Sequence, residues 1–277
     1  MEANKHTDLF DISEQVIVIT GGAGVLGSDM ARALYARGAK IAILDLNLHG
    51  AQALVDELLK SPGEAIALKT DILNQESIKA AATAVVEKFS KIDCLVNAGG
   101  GNHPRATTGP DLAFFDLPKD AFQFVSDLNL MGTVLPSQVF GKILADQGEG
   151  TILNVSSMNA FRPLTRIPAY SSAKAAVSNF TQWLAVHLAQ EYSPKIRVNA
   201  IAPGFFLTHQ NRFLLTDEES GELTARGQQI ISHTPMDRFG EADDLIGTVL
   251  WLLSPASNFV TGIVVPIDGG FSAYSGV

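Results

Sequence analysis

Short apolar runs recur along the chain at regular intervals, and longer segments with helical spacing separate them. The runs share aliphatic and β-branched residues and lack the polar/apolar alternation of a half-exposed strand; they are VIVIT (16–20), KIAILD (40–45), AIALKT (65–70), IDCLVN (92–97), TILNVS (151–156), IRVNAIA (196–202) and IVVPID (263–268). Such strands, alternating with helices, build a parallel sheet that is covered on both faces. The pattern predicts an α/β protein with a doubly wound, seven-stranded parallel sheet, in a single domain over residues 1–277.

One segment interrupts this alternation, between Phe205 and Arg238. No strand pattern is present in this segment, which begins FFLTHQNRFLLTDEESGELTARGQQ. We interpret residues 205–238 as a short helical insertion that closes over a substrate as a lid. The alternative is a decoration of the surface.

Composition and charge narrow the possible partners. A net charge of −9 argues against tight nucleic-acid binding, because phosphate contacts need a concentrated basic face. The lone cysteine, Cys94, excludes an intrachain disulfide, and we interpret it as a buried structural thiol in a reducing compartment. No run approaches the ~20 apolar residues that a membrane span needs. We therefore expect a soluble, cytoplasmic protein without a nucleic-acid or membrane partner.

The first predicted strand leads directly into a glycine-rich turn and a helix. Gly22, Gly24 and Gly27 in TGGAGVLG fit G-x-G-x-x-G, the spacing that lets backbone approach a pyrophosphate at a helix N-terminus. Asp45 closes the second strand about twenty residues further on, where a carboxylate accepts hydrogen bonds from the adenosine ribose. A carboxylate there repels a 2′-phosphate, so this Rossmann-type pattern predicts NAD(H) rather than NADP(H). Alternatively, Asp45 caps the following helix.

A set of polar residues follows in the second half of the chain. Tyr170 and Lys174 stand four residues apart, which places them on one face of a helix. Ser157 ends the fifth predicted strand, and Asn129 occurs in a long helical segment. A tyrosine titrates near ~10, so it needs a nearby cation before it exchanges protons at neutral pH. The set is suited to acid–base chemistry.

These residues, in this order, resemble the short-chain dehydrogenase/reductase family from about Ile12 to Ser272. The motifs that carry the resemblance are TGGAGVLG, Asp71 in KTDI, NAGG (97–100), Asn129, Ser157, Y-x-x-x-K (170–174), PG (203–204) with Thr208, and DGG (268–270). The resemblance implies that Tyr170 is the general acid–base and that Ser157 hydrogen-bonds the reacting oxygen. It also implies that Asn129 anchors a water of a proton relay, while Lys174 binds the nicotinamide ribose and lowers the pKa of Tyr170.

The resemblance also implies a set of residues around NAD(H): Gly21, Gly22, Gly24, Val25, Leu26, Gly27, Asp45, Leu46, Asp71, Ile72, Asn97, Ala98, Gly99, Tyr170, Lys174, Pro203, Gly204, Phe206 and Thr208. One position departs from the family. Val25 stands where T-G-x-x-x-G-x-G requires glycine, and Gly24, one residue earlier, completes the tighter spacing instead.

Polar and basic loops surround the predicted reaction site. The expected substrate-binding residues are Asn102, His103, Arg105, Ser157, Asn159, Arg162, Arg166, Tyr170, Asn211 and Arg212. An arginine offers a rigid fork that suits a carboxylate, so converging arginines in a protein of net charge −9 indicate a small anionic substrate. The alternative is that these arginines pair with surface acids or with a neighbouring subunit. The histidine spacing indicates no metal site.

The loops GGGNHPRATT, MNAFRPLTRIPAYS and APGFFLTHQNRFLLT also resemble the D-mannonate oxidoreductase (fructuronate reductase) branch. That resemblance implies the interconversion of D-mannonate and D-fructuronate with NAD(H). Other sugar-acid or polyol dehydrogenases, such as a gluconate 5-dehydrogenase-like enzyme, remain alternatives, as does a non-catalytic NAD-sensing protein. The family resemblance further implies a homotetramer, formed through the helices around 119–147 and 168–192 and the C-terminal segment.

Overall fold

Seven parallel strands form one sheet in the order β3-β2-β1-β4-β5-β6-β7. The computed structural model describes residues 8–207, 215–217 and 220–276. The strands are β1 (Val16–Thr20), β2 (Lys40–Asp45), β3 (Ala65–Lys69), β4 (Cys94–Asn97), β5 (Gly150–Val155), β6 (Ile196–Pro203) and β7 (Val264–Ile267). The predicted fold class is confirmed, and each strand begins and ends within two residues of its predicted bounds. Strands β2 and β3 lie on one side of β1, and β4 lies on its other side. Because the strand order reverses at this point, a crevice opens at the carboxyl ends of β1 and β4.

Helices connect the strands and cover both faces of the sheet. They are α1 (Val25–Tyr35), α2 (Leu48–Leu58), α3 (Gln75–Phe89), α4 (Lys119–Ser126), α5 (Gly132–Gln147), α6 (Pro168–Glu191), α7 (Ala225–Ser232) and α8 (Ala242–Leu253). A π-helical turn at Asp127–Met131 joins α4 to α5, so the long predicted segment at 119–147 is not one regular helix. Within the described ranges, none of the helices is both long and apolar enough to cross a membrane.

The core divides into two apolar layers, one on each side of the sheet. In β1, Ile17 and Ile19 join the layer formed with α1, α2 and α8. Val16 and Val18 point to the other layer, formed with α3, α5 and α6. Successive residues of a strand face opposite sides, so burial on both sides explains why the strands read as continuous apolar runs.

Cys94 belongs to the first of these layers. It is 2% exposed, and burial raises the pKa of its thiol to about 12. A thiol that stays protonated and out of contact with solvent is a packing residue, as the sequence predicted.

The interrupting segment has helical structure of its own. Its described part contains α7, and Thr216 pairs with Leu223 in an isolated bridge. Gly227 of α7 lies so close to Leu215 that a Cβ on it would collide with the Leu215 carbonyl. Three residues expected to bind ligands lie outside the described residues: Thr208, Asn211 and Arg212.

Candidate active site

A cleft of about 610 Å³ runs along the carboxyl edge of the sheet, across the crevice between β1 and β4. We call it the main cleft. Most of the expected cofactor residues line it: Gly21, Gly24, Val25, Leu26, Gly27, Asp45, Leu46, Asp71, Ile72, Ala98, Gly99, Tyr170, Lys174, Pro203 and Gly204. It also contains residues outside the expected cofactor set: Thr70, Leu73, Gly100, Gly101, Phe124, Leu128, Val155 and Ser156. The missed residues neighbour the predicted motifs along the chain or lie on helix α4 and the π turn.

The glycine-rich turn owes its shape to Gly21 and Gly27. Gly21 has a φ of +61°, and a Cβ on it would lie 2.5 Å from the Cα of Gly99. A Cβ on Gly27 would lie 2.5 Å from the Gly21 carbonyl oxygen, so α1 can approach the turn only without a side chain there. Gly24 has an ordinary φ of −72° and serves as the N-cap of α1. The positions that cannot carry a side chain are therefore Gly21 and Gly27, as in the family spacing. The interpretation that Gly24 shapes the turn through G-x-G-x-x-G is corrected.

Asp45 connects this turn to the second strand. Its Oδ2 accepts a hydrogen bond from the Ala23 amide at 3.0 Å, and its Oδ1 accepts one from the Asn47 amide at 2.9 Å. The N-cap of α2 is Asn47, whose side chain accepts from the Gly50 amide. The alternative role of Asp45 as the cap of this helix is therefore wrong. The carboxylate is held at the edge of the main cleft, beside Leu46.

Three residues expected around the cofactor do not line the main cleft. Gly22 is buried and donates its amide to the Leu44 carbonyl at 3.4 Å. Asn97 is 1% exposed, and its amide nitrogen donates to Ser137 Oγ and Asn154 Oδ1. Phe206 is 6% exposed and faces a smaller cavity near Gly240. Because none of the three lines the main cleft, we interpret them as positions that support its walls.

Asn129 lies in the π-helical turn between α4 and α5. Its Nδ2 donates to the carbonyls of Gly101 at 2.7 Å and Val125 at 2.8 Å, and its Oδ1 accepts from the Gly101 amide at 3.1 Å. Asn129 is fully buried, so these bonds tie the glycine loop after β4 to the helix layer. An inserted residue of this kind re-aims a side chain, which is why π turns are frequent at functional sites.

Ser157 and Tyr170 meet at the end of β5. Ser157 is 6% exposed and Tyr170 lies in the first turn of α6, which begins at Pro168. Burial raises the pKa of Tyr170 above its usual value, and a hydrogen bond with Ser157 acts in the opposite direction. A protonated phenol at this position can donate a proton.

Lys174 lies one helical turn beyond Tyr170 on α6. Its Nζ donates to the Val155 carbonyl at 2.8 Å and lies 5.6 Å from the centroid of the tyrosine ring. Burial lowers the pKa of Lys174 to about 8. The expectation that Lys174 lowers the pKa of Tyr170 stays a prediction, and in this structure the ammonium lies over the tyrosine ring and is held by the Val155 carbonyl.

The loop after β4 holds its polar residues in local contacts. Asn102 donates to Thr107 Oγ1 at 2.9 Å, and His103 Nδ1 accepts from the Arg105 amide at 3.1 Å. The His103 ring packs edge-on against Phe124, which lines the main cleft. Arg105 pairs with Asp120 at 2.9 Å, so its guanidinium is engaged with a surface acid, as the alternative interpretation held.

Asn159 is buried behind Ser157. Its amide and its Nδ2 both donate to Ser157 Oγ at 3.2 Å, and its Oδ1 accepts from the Leu164 amide and from Ser171 Oγ at 3.0 Å. The expected substrate contact of Asn159 stays a prediction, and in this structure its side chain bonds within the loop. Asn159 positions Ser157.

Arg162 and Arg166 lie together on a second cavity of about 460 Å³ beside the main cleft. The face of α7 completes its wall with Arg226, Gln229 and His233, residues that sequence reasoning missed. Their spacing of three and then four residues is the available signal, since it places them on one face of a helix. We call this space the arginine cavity.

Comparison with known proteins agrees with this geometry. The family model described as enoyl-(acyl carrier protein) reductase, a short-chain dehydrogenase model, matches residues 22–272. An uncharacterized oxidoreductase, UxuB of Bacillus subtilis, is 47% identical over 276 residues, covering 96% of this chain and 98% of the relative. An uncharacterized oxidoreductase of Haemophilus influenzae is 47% identical over 278 residues, covering 96% of each.

A solved structure is also similar. It is described as that of a candidate D-mannonate oxidoreductase of Haemophilus influenzae with bound NAD, and it superposes with a TM-score of 0.90 at 47% identity, covering 96% of this chain and 98% of that one. The matches in sequence and in structure extend over almost the whole chain. The chain belongs to the short-chain dehydrogenase/reductase family.

Proposed function

We propose that this protein is an NAD(H)-dependent oxidoreductase that interconverts a sugar-acid alcohol and its ketone, with D-mannonate and D-fructuronate as the substrate pair. The observation that carries the proposal is the placement of Ser157 and Tyr170 at the end of the main cleft, next to a cavity with several arginines. The similarity to the NAD-bound Haemophilus structure supports both the cofactor and the substrate class.

The main cleft fits an extended dinucleotide. Its glycine turn brings backbone to the surface, and Gly100 lies so close to Asn129 that a Cβ on it would approach Asn129 Oδ1 to 2.7 Å. Asp45 stands beyond the turn, where it would accept hydrogen bonds from a ribose and repel a 2′-phosphate. The residues at the opposite end of the cleft, Tyr170 and Lys174, would then lie beside the nicotinamide.

NAD(H), when bound, supplies or accepts the hydride. In the direction of reduction, the Tyr170 hydroxyl donates its proton to the carbonyl oxygen that becomes the alcohol. Ser157 Oγ accepts two hydrogen bonds from Asn159, so its proton is the group that meets Tyr170 in this structure and that would turn to the same oxygen once substrate is bound. Two hydroxyl donors aimed at an oxygen that gains negative charge stabilise the transition state.

Proton exchange at Tyr170 requires a partner that titrates near neutral pH. Lys174 meets this requirement, because burial lowers its pKa to about 8. Asn129 fixes the loop at Gly101 beside the same end of the cleft. We therefore place Lys174 and Asn129 in the supply of protons to Tyr170, and we retain Lys174 as the proposed contact to the nicotinamide ribose.

The substrate class is the finer part of the proposal, and it rests on the arginines. The test is NADH oxidation by the purified protein with D-fructuronate, D-fructose and 5-keto-D-gluconate in parallel. We expect rapid turnover of D-fructuronate and none of neutral D-fructose. Turnover of 5-keto-D-gluconate alone would assign the protein to the neighbouring sugar-acid branch, and activity on D-fructose alone would refute an acid-binding site.

Two further features belong to the proposal. The segment predicted as a lid contributes α7 to this proposal, as the described helix that would close over the substrate. The protein assembles as a homotetramer, which is supported by exposed apolar side chains such as Trp183 on α6 and Phe259 before β7, at 57% and 105% exposure. Light scattering coupled to size-exclusion chromatography tests the assembly, and a monomer would contradict it.

A further inference from the structure

The arginine cavity gathers three arginines around one space. Elsewhere on the surface, Arg32, Arg105 and Arg238 each have a carboxylate within ion-pair distance, whereas Arg37 has none among the described residues. For the cavity arginines, Arg162, Arg166 and Arg226, no carboxylate among the described residues lies within that distance. Within the described ranges, no Asp or Glu lines the cavity.

Three guanidinium groups around one space repel each other unless an anion lies between them. Arg226 stands in the first turn of α7, where the helix dipole favours an acidic residue and not a basic one. Its side chain therefore has no evident stabilising role within the helix. A bound anion would remove both unfavourable interactions.

The wall from α7 is fixed in its orientation. Thr224 caps the helix by accepting from the Gly227 amide at 3.1 Å, and Gly227 and Ile230 are buried. The face that carries Arg226, Gln229, Ile230 and His233 lines the cavity. The His233 ring also packs against Phe271 at 6.5 Å between centroids.

The other wall is tied to the reaction site. The Arg162 amide donates to the Met158 carbonyl at 3.0 Å, next to Ser157, and Arg162 Nε donates to the Ser272 carbonyl at 3.1 Å. Phe205 lines the arginine cavity, while the preceding residue, Gly204, lines the main cleft. The cavity therefore adjoins the end of the cleft where Ser157 and Tyr170 lie.

We infer that the arginine cavity holds the carboxylate of the substrate, and that Arg226 of α7 determines acid specificity together with Arg162 and Arg166. This inference rests on the proposed function and assigns its anion contact to a residue on the lid. Arginine suits the role because its planar fork donates two parallel hydrogen bonds to a carboxylate. With the reacting ketone at Tyr170, the chain of the sugar acid would extend from the main cleft into the cavity.

The test uses Arg226→Gln and Arg162→Gln, with Arg37→Gln as a matched control. Arg226 is exposed, so its replacement leaves the core intact. Arg37 is also exposed, but it lies between α1 and β2 at the opposite edge of the sheet. For D-fructuronate with NADH, we expect Arg226→Gln to raise KM about tenfold to a hundredfold with little change in kcat. Arg37→Gln should match the wild type, and a wild-type KM in Arg226→Gln would overturn the inference.

A binding measurement separates this inference from the proposed function. Calorimetry with NAD present would compare the binding of D-mannonate, D-gluconate and inorganic phosphate to the wild type and to both cavity variants. If D-fructuronate is not turned over, the proposed function fails. The inference then survives only if one of these anions binds the wild type more tightly than Arg226→Gln. Equal affinities, or no binding to the wild type, would refute it.

Discussion

The glycine-lined half of the main cleft and the arginine cavity differ in what defines their shape. In the glycine half, backbone packs on backbone, since Gly21 meets Gly99 and Gly27 meets Gly21. In the cavity, long and exposed side chains such as Arg162 and Arg226 form the walls. The first surface cannot change without moving the sheet, whereas the second can change residue by residue. Cofactor binding is therefore a property of the fold, and substrate choice is a property of its loops.

The substitution Gly27→Ala tests the glycine-lined half of the main cleft, and we expect it to have the largest effect on stability. A Cβ there would lie within 2.9 Å of Gly21 O and Gly22 Cα, which are backbone atoms that cannot turn away. We expect a loss of about 3 kcal/mol in unfolding free energy, together with weaker NADH binding. Gly24→Ala is the matched control, because its nearest atom is at 3.1 Å and its φ is ordinary. Equal effects of the two substitutions in urea denaturation would show that the turn is not set by backbone contact.

The second test concerns Lys174, whose ammonium group is buried. Below pH 8 Lys174 is charged in both the folded and the unfolded chain, and the folded protein bears the full cost of burial. Between pH 8 and about 10.4, the ordinary lysine pKa, the folded protein releases this proton first, so the Lys174 contribution to stability rises with pH. Lys174→Met should lose activity yet gain about 2 kcal/mol in unfolding free energy at pH 7, after the lost bond to Val155 is deducted.

The measurement is denaturation at pH 7 and at pH 9.5, with Lys195→Met as the control on an exposed lysine. The control should leave both values unchanged. If Lys174→Met is less stable than the wild type at pH 7 and keeps its pH slope, the buried lysine does not carry the cost assigned to it.

The smallest expected effect concerns the far end of the cleft. Asp45→Asn keeps the size of the side chain but removes the charge that repels a 2′-phosphate. We expect kcat/KM with NADH to fall about tenfold and kcat/KM with NADPH to rise by a similar factor, which corresponds to about 1.4 kcal/mol each. Asp56→Asn, on the surface of α2, should leave both values unchanged. An unaltered NADH/NADPH preference in Asp45→Asn would remove Asp45 from cofactor selection.

Local sequence patterns predicted the fold and the position of the main cleft well. The strands followed from buried apolar runs, because burial on both faces removes any need for alternation. Tyr170 and Lys174 followed from a spacing of four on one helix, and the cleft from the position of strand ends. Each of these inferences depends on neighbours in the sequence.

Sequence patterns did not predict the contacts between residues that are distant in the sequence or in loops. Arg105 pairs with Asp120, and Asn159 accepts a hydrogen bond from Ser171 across a loop. The π turn at Asn129 forms around bonds to Gly101, which lies 28 residues earlier. Such contacts form only when the loops are folded, so the periodicity of the sequence does not predict them.

Because the glycine-lined half of the main cleft would bind the cofactor and Tyr170 would transfer the proton, we predict that the two activities can be separated. The substitution Tyr170→Phe tests this most directly. We would measure NADH affinity by fluorescence titration and D-fructuronate reduction by NADH oxidation, with Tyr192→Phe at the end of α6 as the control. Tyr170→Phe should reduce turnover by about 10²–10⁴-fold while NADH affinity stays at the wild-type value. Turnover that persists in Tyr170→Phe, or a loss of NADH binding that accounts for the loss of activity, would contradict the account.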